Sequence, residues 1–157
     1  HIHHAGISSG VVDGAAAVVL ASPEYAKANG LKPRARILAV ENAGCEPELM
    51  LNAPVLAAQK CAKRAGINIE DIDLFEVNEA FAVVPMKFMR DLDISPDKVN
   101  VNGSAMALGH PIGATGAILV GTLLDELERQ NLKTGMATLC AGGGMAPAII
   151  IERMAAE

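Results

Sequence analysis

The sequence contains no tryptophan, and Tyr25, Phe75, Phe81 and Phe88 are its only aromatic residues. That scarcity removes the stacking platforms on which single-stranded nucleic acid is held. The net charge is -5 and no run of Lys and Arg offers a footprint for a phosphate backbone, so no nucleic acid is expected as a partner. The three cysteines, Cys45, Cys61 and Cys140, stand far apart with no CxxC pair. This excludes a disulfide framework and a thiolate zinc site, and suits a reducing compartment. No apolar run reaches the roughly 20 residues of a membrane span, and no signal peptide is recognisable, so no membrane span is expected and the expected location is cytoplasmic. An initiator Met is also lacking: the sequence starts HIHH, and His1, His3 and His4 read as a tag remnant or the scar of a cut, with no metal expected there.

What remains is apolar and small. Of 157 residues 51% are apolar, enough for one domain, with part of another, built on close-packed Ala, Val, Ile and Leu. Within the body of the chain His110 is the only histidine, which makes it the first candidate for proton chemistry near neutral pH. It lies in VNVNGSAMALGHPIGATGAILVGT, Val99 to Thr122, where Gly103, Gly109, Gly113 and Gly116 allow another chain or a ligand to come close.

In chain order, Ser8 to Gly10 reads as a turn and Ala15 to Ala21 as a buried strand, because its apolar run is short and continuous. Ser22, Pro23 and Glu24 combine a capping hydroxyl, a proline at the first helical position and an acid in the first turn, and Gly30 stops the helix they start. Ala35 to Val40 reads as a strand and Asn42 to Asn52 as a connection. From Pro54, apolar positions recur at helical spacing up to Gly66, which makes Cys61 a small core residue. Strands are expected at Ile72 to Val77, Val99 to Val101, Met136 to Leu139 and Ala148 to Glu152, and helices from Ala80 to about Asp91 and from Gly113 to about Gln130. Alternating strands and helices give the α/β class with a parallel or mixed sheet.

Asn78, His110 and Cys140 each follow an expected strand, and in open α/β sheets ligands bind beyond the carboxyl ends of strands. The three could therefore share one face. A thiol there becomes useful when its environment lowers its pKa, and the glycines after Cys140 expose N–H groups that can hold an oxyanion. Each has a plainer alternative: a buried core thiol before a tight turn, a histidine satisfied within its loop, and an asparagine capping a helix ahead of Glu79.

NEAFA at Asn78 to Ala82, VNVNGSAMALGHPIGATGA at Val99 to Ala117 and TLCAGGGMAPAIIIER at Thr138 to Arg153 closely resemble the C-terminal half of thiolases. AGISSGVVDGAAAVVLAS at Ala5 to Ser22 resembles the segment just before that half. The resemblance implies a layered αβαβα fold, with residues 1–39 as closing elements of the first α/β unit and 40–157 as the second unit. It implies that Asn78 fixes a water that stabilises a thioester oxygen together with His110, and that His110 activates a nucleophilic cysteine. By the same resemblance Cys140 moves the α-proton of an acetyl group, the Gly142 N–H helps form an oxyanion hole, and Ala5 and Ser9 line the pantetheine arm of coenzyme A.

Coenzyme A, acetyl-CoA and acyl-CoA are then substrates, no cofactor is tightly bound, and a homodimer or homotetramer is favoured. Two departures stand out. Ile7 occupies a place where many thiolases have Asn, and the family's nucleophilic cysteine belongs to an N-terminal half that this sequence does not contain. The missing half or a partner subunit is therefore expected, and this chain alone is expected not to turn over. Two other classes compete: a non-catalytic CoA-binding or assembly subunit, and a hydrolase with Cys140 as nucleophile, against which stands the run from Cys140 into glycines rather than a helix. A phosphate loop is excluded, since GHPIGATG has no P-loop Lys.

Overall fold

The computed structural model describes residues 2–154, and His1 lies outside them. The chain folds around a four-stranded mixed sheet in the order β1-β4-β3-β2, formed by β1 (Ala35–Gly44), β2 (Leu74–Val77), β3 (Thr134–Thr138) and β4 (Met145–Arg153). β4 runs antiparallel to both β1 and β3, whereas β2 runs parallel to β3 with Val77 opposite Thr138. The parallel pair needs a long crossover, and residues 78–133 supply it.

Helices cover both faces. α1 (Pro23–Ala28) starts as the sequence implies, with Ser22 accepting from the Tyr25 N–H. α2 (Ala53–Ala65) ends at Gly66, whose φ of 71° places it in the left-handed region. Its inner side is Ala53, Ala57, Ala58, Cys61 and Ala62, small enough to let the helix lie close on β1 and β4. Cys61 donates from Sγ toward the carbonyls of Ala39 and Ala148 at 3.5 Å, which confirms it as a core residue. α3 (Val83–Leu92) packs beside α2, and Phe88 meets Phe75 edge to face at 5.7 Å. After the single turn α4 (Ala105–Leu108), α5 (Thr115–Arg129) covers the opposite face with Leu119, Leu123 and Leu127 against Leu74, Ala137 and Ile151. The expected α/β class is observed, as one three-layered unit. Among the described residues no helix is long and apolar enough to cross a membrane.

Three expectations change. Ala15 to Ala21 forms no strand and is exposed, because an apolar stretch becomes a strand only where another strand accepts its hydrogen bonds. Val99 to Val101 provides one bridge, Phe75 to Val99, before the chain turns at Asn100 with φ of 50°. β1 continues to Gly44, through residues read as a connection, and its pairing with β4 crosses the division drawn between residues 39 and 40.

Candidate active site

The site lies at the carboxyl ends of β2 and β3. The Asn78 N–H donates to the Thr138 carbonyl at 3.0 Å, so the parallel ladder continues one residue past β2 and Asn78 is fully buried. It is not a helix cap: α3 starts five residues later, and Ala80 to Ala82 intervene in an antiparallel bridge to Ile7, Ser8 and Ser9. In that bridge the Ser9 N–H and hydroxyl both reach the Ala80 carbonyl, at 3.0 and 3.3 Å.

His110 is brought to the same point by the loop between α4 and α5. Its backbone N–H donates to the Gly10 carbonyl at 2.8 Å. Gly109 has a φ of 91°, and a side chain there would stand 2.5 Å from Val12. Gly14 lies equally close to Pro111, with 2.6 Å between an added Cβ and the ring. The glycines thus let the Gly10-to-Gly14 stretch lie directly on the histidine loop.

The imidazole is held from both sides. Nδ1 lies 2.7 Å from Thr115 Oγ1, and the Thr115 hydroxyl donates to the Pro111 carbonyl at 3.0 Å. With its proton spent on Pro111, the hydroxyl accepts from Nδ1–H, and the network assigns the lone pair to Nε2. Nε2 faces Asn78 Nδ2 at 3.3 Å, a long contact. Burial lowers the His110 pKa below its ordinary value, so the ring is neutral near pH 7 and able to take a proton. Asn78 Oδ1 is buried and has no hydrogen-bond partner among the described residues. An acceptor left so costs about 1–3 kcal/mol, and it marks a place where a donor is received.

Cys140 is on the same sheet edge, two residues past Thr138, and buried. Burial raises its thiol pKa, so the lowered value that would make it a ready nucleophile is not met. Among the described residues its Sγ makes no hydrogen bond with His110 or Asn78. Cys140 therefore rests as a proton-bearing thiol and not as an activated nucleophile, which removes the support for a hydrolase. Gly142 is exposed in the turn to β4, and its N–H has no backbone acceptor among the described residues. Gly144, by contrast, is required to be glycine, with φ of 76° and the Cys45 carbonyl 2.7 Å from an added Cβ. Ala5 sits in an exposed 3-10 turn that leads into the Ile7-to-Ser9 bridge.

Two functional positions were not foreseen in the sequence. Thr115 reads as an ordinary first-turn helix residue, and its spacing from His110 is the only signal. Asn100 brackets Val77 from the neighbouring loop: its Oδ1 accepts from the Val77 N–H and its Nδ2 donates to the Val77 carbonyl, both at 2.8 Å. It takes the place of a paired strand residue just before Asn78.

The family described as "Thiolase, C-terminal domain" matches residues 31–153. The chain is 52% identical over 149 residues to an acetyl-CoA acetyltransferase of Chromobacterium violaceum, covering 95% of this chain and 38% of that protein. It is 47% identical over 153 residues to a 3-ketoacyl-CoA thiolase of Serratia proteamaculans, 96% of this chain and 40% of that one. The acetyl-CoA acetyltransferase structure from Bacillus anthracis superposes with a TM-score of 0.93 at 46% identity, and human mitochondrial 3-ketoacyl-CoA thiolase with 0.89 at 39%. Each superposition covers 96% of this chain and 38% of the other, so the chain spans about two fifths of the length of these relatives.

Proposed function

The chain belongs to the thiolase family, and on that premise we propose that it carries the acid/base and oxyanion machinery of an acyl-CoA acyltransferase. The reaction is condensation of acetyl-CoA with acyl-CoA to 3-ketoacyl-CoA and free CoA, or the thiolytic reverse. The observation that carries this reading is the Asn78–His110 pair: a neutral imidazole with its lone pair on Nε2, beside an amide oxygen with no partner.

In this reading His110 Nε2 takes the proton of a cysteine supplied by the N-terminal part that the longer relatives possess, and that cysteine receives the acyl group. The orphaned Asn78 Oδ1 holds a water, whose other hydrogen faces the thioester oxygen together with His110. Cys140 exchanges the α-proton of the acetyl group, a task suited to a thiol that rests protonated, while the free N–H of Gly142 stabilises the oxygen that gains charge. Ser9 and the Ala5 turn flank the pantetheine arm. The exposed stretch Gly10 to Ser22 belongs to the closing elements of the first α/β unit, and the sheet to the second. Coenzyme A and its thioesters enter as substrates, no cofactor is tightly bound, and the assembled enzyme is a cytoplasmic homodimer or homotetramer.

The test is to fuse the N-terminal portion of the Chromobacterium violaceum relative ahead of this chain and follow cleavage of acetoacetyl-CoA by CoA. Turnover that collapses on His110→Ala, with deuterium exchange into acetyl-CoA collapsing on Cys140→Ser, is the expected result. A folded fusion that binds CoA without turning over would instead identify a binding subunit.

A further inference from the structure

Below the site, on the α5 side of the sheet, lies a carboxyl group that the proposed chemistry does not use. Along β2, Leu74 packs toward α5 while Phe75 and Val77 pack toward α2 and α3. Alternation therefore turns Glu76 toward α5, two residues before Asn78, where it is only 3% exposed. Glu79 lies above it and Glu126 comes from α5, and the charges of both act on Glu76.

The neighbouring donors are already engaged. Arg129, Gln130 and Asn102 all point to the Glu126 carboxylate, which they hold charged. Lys98 donates to the backbone carbonyls of Glu70 and Ile72, at the other end of β2. Among the described residues no ion pair includes Glu76. A charged carboxylate there would be buried, unpaired and beside two others, which is the costly arrangement.

We propose that Glu76 is a positioning residue that supports the Asn78–Glu79 turn as a neutral carboxyl group, and that loss of its proton loosens this turn. Burial first, then the like charges of Glu79 and Glu126, push its pKa up to about 8. Glu79 is the side chain that would feel the change. One of its oxygens accepts from Asn100 Nδ2 and the other from the Met106 N–H, both at 3.1 Å. Asn100 in turn clamps Val77, the residue between Glu76 and Asn78. A negative charge at position 76 repels Glu79 along this tie and disturbs both neighbours of Asn78. The placement of Glu76 stands independently of the thiolase reading; only its consequence for turnover rests on that reading.

The experiment is a pH titration of the 157-residue chain between about pH 4 and 10, followed by NMR at the Glu76 carboxyl carbon and the side-chain amides of Asn78 and Asn100. The expected result is a Glu76 midpoint near 8, Asn78 and Asn100 signals that move with the same midpoint, and flat amide signals in Glu76→Gln. A Glu76 midpoint in the ordinary carboxylate range, or amides that ignore its titration, would overturn the proposal. Should Glu76→Gln not fold, Glu79→Gln decides: removing that charge lowers the Glu76 midpoint by roughly one unit, and an unchanged midpoint overturns it. No arm depends on turnover, so an inactive fusion leaves this result untouched.

Discussion

The two faces of the sheet use different chemistry to do their packing. Under α2 and α3 the interior is apolar and small, with Ala53, Ala57, Ala58 and Cys61 fully buried against Phe75, Val77 and Ile150. Under α5 the same strands carry Glu76 and Asn78, and the helix answers with Thr115 and Glu126, all buried. The first face takes in only the thiols of Cys61 and Cys140 among this packing, whereas the second gathers carboxyl, amide and hydroxyl groups that each need a partner. Substitutions in the alanine-rich packing and at the Asn78–His110 pair should therefore separate, the first costing stability and the second turnover.

The largest effect is expected at the polar face. In the fusion enzyme His110→Ala should lower turnover roughly 10²–10⁴-fold, as loss of a general base does, while the melting temperature of the chain stays near the parent's. Phe88→Ala should do the reverse. It empties a fully buried site beside Phe75 and should cost about 3–5 kcal/mol in denaturant unfolding, leaving the residual folded enzyme's rate per site unchanged. A rate loss in that variant as large as in His110→Ala would break the division.

A finer cut is Thr115→Val, which keeps the shape and removes the hydroxyl that fixes the imidazole. The unpaired Nδ1–H costs about 1–3 kcal/mol, equivalent to a 5- to 150-fold fall in rate, and imidazole ¹⁵N shifts should report a mixture of tautomers. The pH profile sharpens the same point. Turnover needs neutral His110, so it should fall as pH drops through the lowered pKa, placing the acid limb below 6.5. Glu76 acts in the opposite sense. With a folded-state pKa raised to about 8, its contribution to stability is full below about 4.5 and is lost as pH rises toward 8, so Glu76→Gln should flatten unfolding free energy across that window. The smallest effect belongs to neither face. Arg34 joins Asp125 and Glu128 at the surface, and Arg34→Ala should cost about 0.2–1 kcal/mol, vanishing at high salt.

The sequence is most legible where local rules decide. Ser22 with Pro23, the alanine spacing before Gly66 and the apolar run of β3 each specify their element without outside help. The stretch Ala15 to Ala21 has the composition of a strand, yet strand formation depends on a neighbour that supplies partners, and no residue between 2 and 154 does so. At the site, Asn78 and His110 stand out by motif, and the structure brings them into contact. Cys140 and Gly142 reach the same edge by the β2–β3 register, though among the described residues neither hydrogen-bonds to that pair. Thr115 and Asn100 escape detection because each works through one tertiary hydrogen bond pattern, which leaves no periodicity.

Gly10 to Gly14 is the stretch with the furthest consequence. Its backbone holds the His110 N–H, and Val12 occupies the space that Gly109 leaves. Gly109 is therefore a socket as well as a bend: any side chain there would push Val12 out and with it loosen the carbonyl that holds the His110 loop.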